Sequence, residues 1–487
     1  MAKVPPRIEI APGLEIPRLL TGLWQVADME RGGTLLDPDK AAASLAEYAA
    51  AGFDAFDMAD HYGSAEDIVG RLLAGPWRGK AHAFTKWCPP PGPMTPDIVR
   101  AGVGHSFRRL GQARIDLMQF HWWHYRHPAY LDALAEMAKL QAEGKIGALG
   151  LTNFDTDHLR LLVKHGTPIA TNQVSFSLLD RRAAGRMSEF CLAHNVKLLA
   201  YGTLAGGFLT DRWVGQSEPV DIPDWSKSKY KRFVDAVGGW GVLQGILGAA
   251  SRIAKRHGVS VANVATRWVL DHPAVAAAIV GARPGEREHR AANLATFDFS
   301  FDAGDHALLD EALAAAAPVP GDCGDEYRRP PFLTASGDLS HHLDGMPKVY
   351  AAEAVPGRAG RWRVDSGSVW EPIAGYSRAV RVGSNVHVSG TTATHGKGAV
   401  VCEGDAEGQT VYILDKIAAS LDALGATLDD VVRTRVYLAD ADDCEAVSRA
   451  HGRYFGAVRP ANTLLEIARL VGPYKVEIDA EAVVDPQ

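Results

Sequence analysis

The sequence predicts an α/β chain built as a parallel (β/α)8 barrel followed by a small α+β domain. Two observations carry that prediction. Between Arg18 and Gly281 eight short apolar runs alternate with helix-like stretches, the order expected when each strand is returned by a helix to pair in parallel with the last. After residue 360 the pattern changes to alternating strands around one long helical stretch. Eight strands favour closure into a barrel over an open sheet.

RLLTGLWQV is the first strand. The helix over 38–51 has Asp37 as N-cap, Pro38 at its first position and Gly52 as its stop. FDAFDMADHYG follows as a strand, and a second helix begins at Ser64, with Asp67 three residues on completing a capping box. Strand 81–87, helix 95–109, strand 115–122, helix 129–143 and strand 146–151 come next, then apolar runs near 168–176, 196–201 and 274–281. The glycine-rich GGWGVLQG at 238–245 lacks the spacing and the preceding strand of a dinucleotide fingerprint, and reads as a loop entering a helix.

Asp57, Tyr62, Lys86 and His121 lie at or just past the ends of three successive strands, and loops after the strands form the active face of such a barrel. Singly, each has an ordinary reading as cap, packing, surface charge or core histidine. Together they form an acid–base cluster. A tyrosine with a pKa of about 10 is a weak proton donor near neutrality, and a neighbouring ammonium favours its phenolate. Lys86 supplies the ammonium, Asp57 holds Lys86, and His121 hydrogen-bonds the phenol and the substrate oxygen. Trp24, Trp87, Trp122 and Trp123 follow strand ends as candidate walls of an apolar pocket.

The cluster, with EGKIGALGLTNF, NQVSFS, LLAYGTLAGGFL and WVLDHPAVAAAIVGAR behind it in order, resembles the aldo-keto reductases over residues 7–315. The resemblance implies a TIM barrel that moves a hydride between a nicotinamide cofactor and a carbonyl or alcohol. It makes Tyr62 the general acid, Lys86 and His121 its tuners, and Asp57 the partner of Lys86. Thr152, Asn153, Gln173, Tyr201, Gly202 and Leu204 become cofactor contacts, with the two amides on the carboxamide and Tyr201 on the ring. Gly281, Ala282, Arg283 and Asn293 meet the adenosine end. Two departures stand out. Thr152 replaces the usual serine but keeps the hydroxyl, and the stretch from Gly281 to Asn293 is two residues longer than usual. Arg283 suits a 2′-phosphate, so NADP(H) is expected, with NAD(H) and a solvated loop arginine as the alternatives.

Residues 379–390 read as a strand pair with a Gly-Ser-Asn turn, 405–424 as an amphipathic helix stopped by Gly425, VVRTRVYLAD as a strand, 442–455 as a helix and VEIDAEAVV as a last strand. GYSRAVRVG, HVSG, RTRVYLAD and RPANTLLEIARLVGPYKVEIDAEA resemble the Rid (YjgF-like) family, a chorismate-mutase-like fold, over residues 365–485. The resemblance implies pocket positions Tyr376, Ser389, Asn462 and Glu477 and a homotrimer. Deaminating members carry an arginine where this chain has Asn462, and an asparagine lacks the bidentate charged grip on a carboxylate.

The domains are therefore read as 1–317, a linker or extension at 318–360, and 361–487. Tyr327, Phe332 and Leu333 predict that part of the extension lies against the barrel, and His341 and His342 read as surface residues, ill-placed for a metal. A 47% hydrophobic, 22% charged composition and a formal charge of −7 fit a globular protein without a nucleic-acid footprint. Five widely spaced cysteines suggest neither a disulfide framework nor a metal site. With no signal pattern or membrane-length apolar run, the expectation is a cytoplasmic NAD(P)H-dependent reductase of small carbonyls or alcohols, without metal or membrane. The alternatives are a bifunctional protein whose Rid-like part hydrolyses an imine or enamine, and a cofactor-binding sensor without turnover.

Overall fold

The computed structural model describes residues 3–26, 36–286, 288–328, 345 and 347–485. Phe332, Leu333, His341 and His342 lie outside them. Eight parallel strands close into a barrel: Leu19–Gly22, Ala55–Asp57, His82–Trp87, Ile115–His121, Ile146–Thr152, Ile169–Ser175, Lys197–Tyr201 and Val275–Gly281. Each falls on one of the apolar runs picked out above, with Ile146–Thr152 one residue longer than its run, because strands buried on both faces read as continuous apolar stretches.

Helix ends follow local chemistry. Asp37 accepts from the backbone of Asp39 and Lys40, with Pro38 at the first helical position of Pro38–Ala50. Thr95 accepts from the Ile98 amide, and Gly111 ends Pro96–Leu110 in the left-handed conformation at φ 60°. The capping box expected at Ser64 does not form. Ser64 makes no side-chain cap to the helix Ala65–Ala74, because Asp67 is drawn into an ion pair with Arg109 at 2.7 Å.

The barrel interior is filled by Leu20, Phe84, Leu117, Leu199 and Ile279. A hairpin, Arg7–Ala11 with Leu14–Pro17, packs Ile10, Leu14 and Ile16 into the end opposite the strand C-termini. One end is thereby closed and the other left for loops.

The C-terminal domain is a seven-stranded sheet in the order 352–354, 361–364, 379–382, 385–391, 476–483, 431–438, 461–466. Its first strand begins at Ala352, inside the stretch read as linker, and its last, Ala461–Glu466, lies within a motif not read as a strand. The helix Ala406–Ala423 packs between this sheet and the barrel helix Thr156–Lys164, and one apolar core runs through both domains. Fifteen of its 18 residues are buried, so it is apolar-packed all round rather than on one face.

Charges cross the junction as well. Arg160 meets Asp405 at 2.8 Å, His395 meets Asp132 at 3.0 Å, and Arg126 meets Asp422 at 3.3 Å. At its centre the buried His158 ring bridges Asp155 and Asp415, each at 2.8 Å. Burial alone would lower the His158 pKa, but the two carboxylates override it and raise it to about 10.

Candidate active site

Asp57, Lys86 and His121 terminate or nearly terminate the second, third and fourth barrel strands, and Tyr62 sits in the turn after the second. All four line one cavity of about 380 Å³ at the open end of the barrel. Lys86 Nζ donates to Asp57 Oδ2 at 2.6 Å and to the Met58 carbonyl at 2.9 Å. Asp57 Oδ1 accepts from Gln173 at 2.7 Å and Gln119 at 3.1 Å. These bonds compensate a charge pair taken almost fully out of water. Lys86 Nζ lies 5.1 Å from the centre of the Tyr62 ring, which puts a fixed cation beside the phenol.

The same cavity is lined by Thr152, Asn153, Gln173, Tyr201, Gly202, Leu204, Gly281 and Arg283. Asn153 holds a left-handed backbone at φ 58° and accepts a hydrogen bond from the Tyr201 hydroxyl at 2.8 Å. Gly202 combines φ 69° with a close approach: a Cβ there would lie 2.1 Å from the Tyr230 hydroxyl. Thr152 Oγ1 and Gln25 Oε1 are buried without a hydrogen-bond partner among the described residues, and both residues face the cavity. Unsatisfied oxygens beside two amides and a tyrosine fit a polar, planar group of nicotinamide type. At the other end Arg283 and His289 line the cavity. Ala282 is buried behind Arg283, and neither it nor Asn293, on the short helix Arg290–Leu294, is among the lining residues.

The predicted walls divide. Trp24 and Trp123 line the cavity, and Trp24 packs edge-on against Tyr62 at 4.9 Å. Trp87 and Trp122 do not line it. They point outward into the layer between strands and helices, where Trp87 fills the space beside Gly102 and Trp122 donates to the His124 and His127 carbonyls. Residues adjacent in a strand face opposite sides, so Trp87 turns away from the face Lys86 takes, and Trp122 from that of His121.

The segment after the barrel completes the wall. Tyr327 packs edge-on against His121 at 5.3 Å, and its hydroxyl accepts from Lys229 Nζ at 2.5 Å. Glu326, fully buried, pairs with Arg182 at 2.9 Å. Burial would raise its pKa, but Arg182 and Lys229 hold it below the usual carboxyl range. Arg328 donates to the Asn153 and Trp122 carbonyls, and Gly324 abuts the Asn153 carbonyl so closely that a Cβ would lie 2.0 Å from its oxygen. Tyr327 thus lies against the barrel as expected, while Lys229, Tyr230 and Gln25 were not singled out in the sequence. Lys229 and Tyr230 sit on Trp225–Ala236, a helix whose site-facing residues carry no motif.

In the C-terminal domain Arg378 donates to the Ser389 carbonyl and lies near Tyr376 and Glu477, while Asn462 is held apart from them. Ser389 Oγ donates to the Ser377 carbonyl at 2.8 Å. Glu477 lies against Gly390, and burial raises its pKa despite Arg378 nearby. Asn462 accepts from Thr434 at 3.1 Å, on the side where Thr434 also meets His451 of the helix Cys444–Phe455. Tyr376 is 37% exposed.

Comparison with known proteins agrees with both halves. Residues 18–314 match the model of the aldo/keto reductase family, and 367–484 match the model described as Endoribonuclease L-PSP. Aldo-keto reductase YhdN of Bacillus subtilis is 28% identical over 57% of this chain and 84% of its own length. A RutC family protein of Pyrococcus horikoshii is 34% identical over 23% of this chain and 89% of its own length. A glycerol dehydrogenase structure from Gluconobacter oxydans superposes with a TM-score of 0.53 at 28% identity, covering 65% of this chain and 97% of that one. With a family model spanning more than half its length and a closed eight-stranded barrel, the chain belongs to the aldo/keto reductase family, with a Rid-type domain at its C-terminus.

Proposed function

We propose that the barrel is an NAD(P)H-dependent oxidoreductase interconverting a small carbonyl compound and its alcohol, with Tyr62 as the proton donor. The observation that carries this reading is the buried Lys86–Asp57 pair at 2.6 Å with Lys86 Nζ beside the Tyr62 ring. The nicotinamide group, when bound, supplies or accepts the hydride. The chain's own residues do the rest. As the Tyr62 hydroxyl gives its proton to the substrate oxygen, Lys86 stabilises the charge left on the phenol, and Asp57 holds Lys86 in place. His121, fixed between Trp123 and Tyr327, orients the oxygen. Asn153, Gln173, Thr152 and Tyr201 hold the nicotinamide end, and Arg283 favours NADPH through its fit to a 2′-phosphate. The aromatic wall of Trp24, Trp123 and Tyr327 excludes water from the reacting atoms. The glycerol dehydrogenase likeness adds small polyols and their carbonyl forms to the substrates worth testing.

The test is titration of the purified protein with NADPH and, separately, NADH, followed by cofactor fluorescence. Saturable binding, tighter for NADPH, is expected. Absence of binding for both would remove the reading.

The C-terminal domain is proposed to assemble three copies. The barrel covers its helical side, while Val432 and Leu465 on neighbouring strands stay 47% and 51% exposed. Light scattering is expected to give three times the chain mass; a monomer would defeat the proposal. Asn462 argues against hydrolysis of carboxylate-bearing imines, which leaves assembly as the favoured role.

A further inference from the structure

We propose that Asp60, His61 and Cys88 form a binding site for one thiophilic divalent cation of the zinc type at the rim of the reductase cavity. The three residues follow the ends of the second and third barrel strands, 27 positions apart in sequence but adjacent in space. One ligand atom from each lies within 4.8 Å of the others. Carboxylate, imidazole and thiolate are the ligands zinc takes, and three protein ligands with an open fourth position are a common arrangement. His61 and Cys88 both line the cavity, so the fourth position opens to it.

The arrangement is already partly oriented. Asp60 Oδ1 lies 2.9 Å from His61 Nδ1, and Asp60 Oδ2 accepts from the Cys88 amide at 3.0 Å. Tetrahedral ligands sit about 3.5 Å apart at ordinary zinc bond lengths. Reaching that spacing asks most of His61, whose side chain is more exposed than that of Asp60, at 25% against 19%. Burial, followed by Asp60, raises the Cys88 pKa well above the ordinary thiol value, so the bare residue is a poor nucleophile. On binding, the thiol proton passes to solvent, the sulfur–metal bond forms, and no oxidation state changes.

One consequence rests on the reductase reading. The His61 ring lies 4.8 Å from Tyr62 and 6.4 Å from Trp24, so a cation held there fixes this wall and, added to the charge of Lys86, favours a Tyr62 phenolate with no proton to donate, inhibiting turnover.

The test titrates the metal-free full chain with Co²⁺ and follows the thiolate-to-cobalt charge-transfer absorption, with Zn²⁺ as competitor. One ion per chain is expected, with the band lost in Cys88→Ser, kept in Cys444→Ser, and its affinity lowered about tenfold or more in His61→Ala. No band, or a band that survives Cys88→Ser, would overturn the site, as would unchanged affinity in His61→Ala. Circular dichroism checks that the variants fold. In turnover assays Zn²⁺ should inhibit the wild type and spare Cys88→Ser. If no carbonyl is reduced at all, the reductase reading fails while the cobalt band still decides the site.

Discussion

The barrel and the C-terminal sheet each carry residues singled out in the same way, and the structure treats them differently. In the barrel, Asp57, Lys86, His121, Thr152, Gln173, Tyr201 and Gly281 come from seven different strands and face one cavity. In the sheet, Ser389, Glu477 and Asn462 come from three strands, and only the first two come together, beside Arg378, while Asn462 is held by Thr434. Closure makes the difference. In a closed parallel barrel every strand points its C-terminal end at the same axis, so the position of a residue along its strand is enough to place it in the site. An open sheet has no such focus. Its edge strand Ala461–Glu466 carries Asn462 at the end of the sheet.

Lys86→Met should lower turnover by roughly 10²- to 10⁴-fold, by removing the charge that tunes the proton donor. It should also cost about 3–5 kcal/mol in urea unfolding, because Asp57 stays buried without its cation. Equal stability of variant and wild type would show that the Asp57 amide donors suffice alone.

His158→Gln should loosen the junction between the domains, with a cost of about 3–5 kcal/mol as the buried Asp155 and Asp415 lose the cation that bridges them. Two separate thermal transitions should replace one. The pH dependence follows the same group. Its folded pKa of about 10 exceeds the ordinary histidine value of about 6.5, so its contribution is complete below pH ~6.5 and is lost as pH rises through 10. Domain coupling should therefore weaken between those limits in the wild type and stay flat there in His158→Gln.

Leu465→Asp should reduce the proposed trimer to monomers in light scattering while leaving cofactor binding intact, since the residues lining the barrel cavity all come from the barrel and the segment that follows it. Loss of cofactor binding on dissociation would erase the contrast between the two sites. The smallest effect is expected from Arg283→Ala, about a tenfold loss of preference for NADPH over NADH, or roughly 1.4 kcal/mol. An unchanged preference would leave Arg283 as a solvated loop charge.

The barrel was legible in the sequence because its strands are apolar runs bounded by readable helix ends such as Asp37–Pro38 and Thr95–Pro96. The active-site cluster was legible because its members fall at strand ends. Trp87 and Trp122 were misplaced for a reason the sequence also contains: each follows an inward-facing site residue, so strand alternation sends it outward, and Trp123 returns to the cavity side. Ser64 failed as a cap because Arg109, far away in sequence, takes Asp67. Lys229 and Gln25 were not visible, because Lys229 sits on a helix whose site-facing residues carry no motif and Gln25 in a single short turn after the first strand. Nor was the burial of Ala406–Ala423 on both faces, since its outer face is covered by the barrel rather than by its own domain. Cys88 and His61 illustrate the same limit, being neighbours only once two strands lie side by side.

The most direct test of the central claim is NADPH consumption by a panel of aldehydes and ketones, with wild type and Tyr62→Phe measured side by side at matched cofactor saturation. Turnover by the wild type is expected, with a loss of about 10²-fold or more in Tyr62→Phe and cofactor affinity unchanged. Near-equal rates for the two proteins would contradict it.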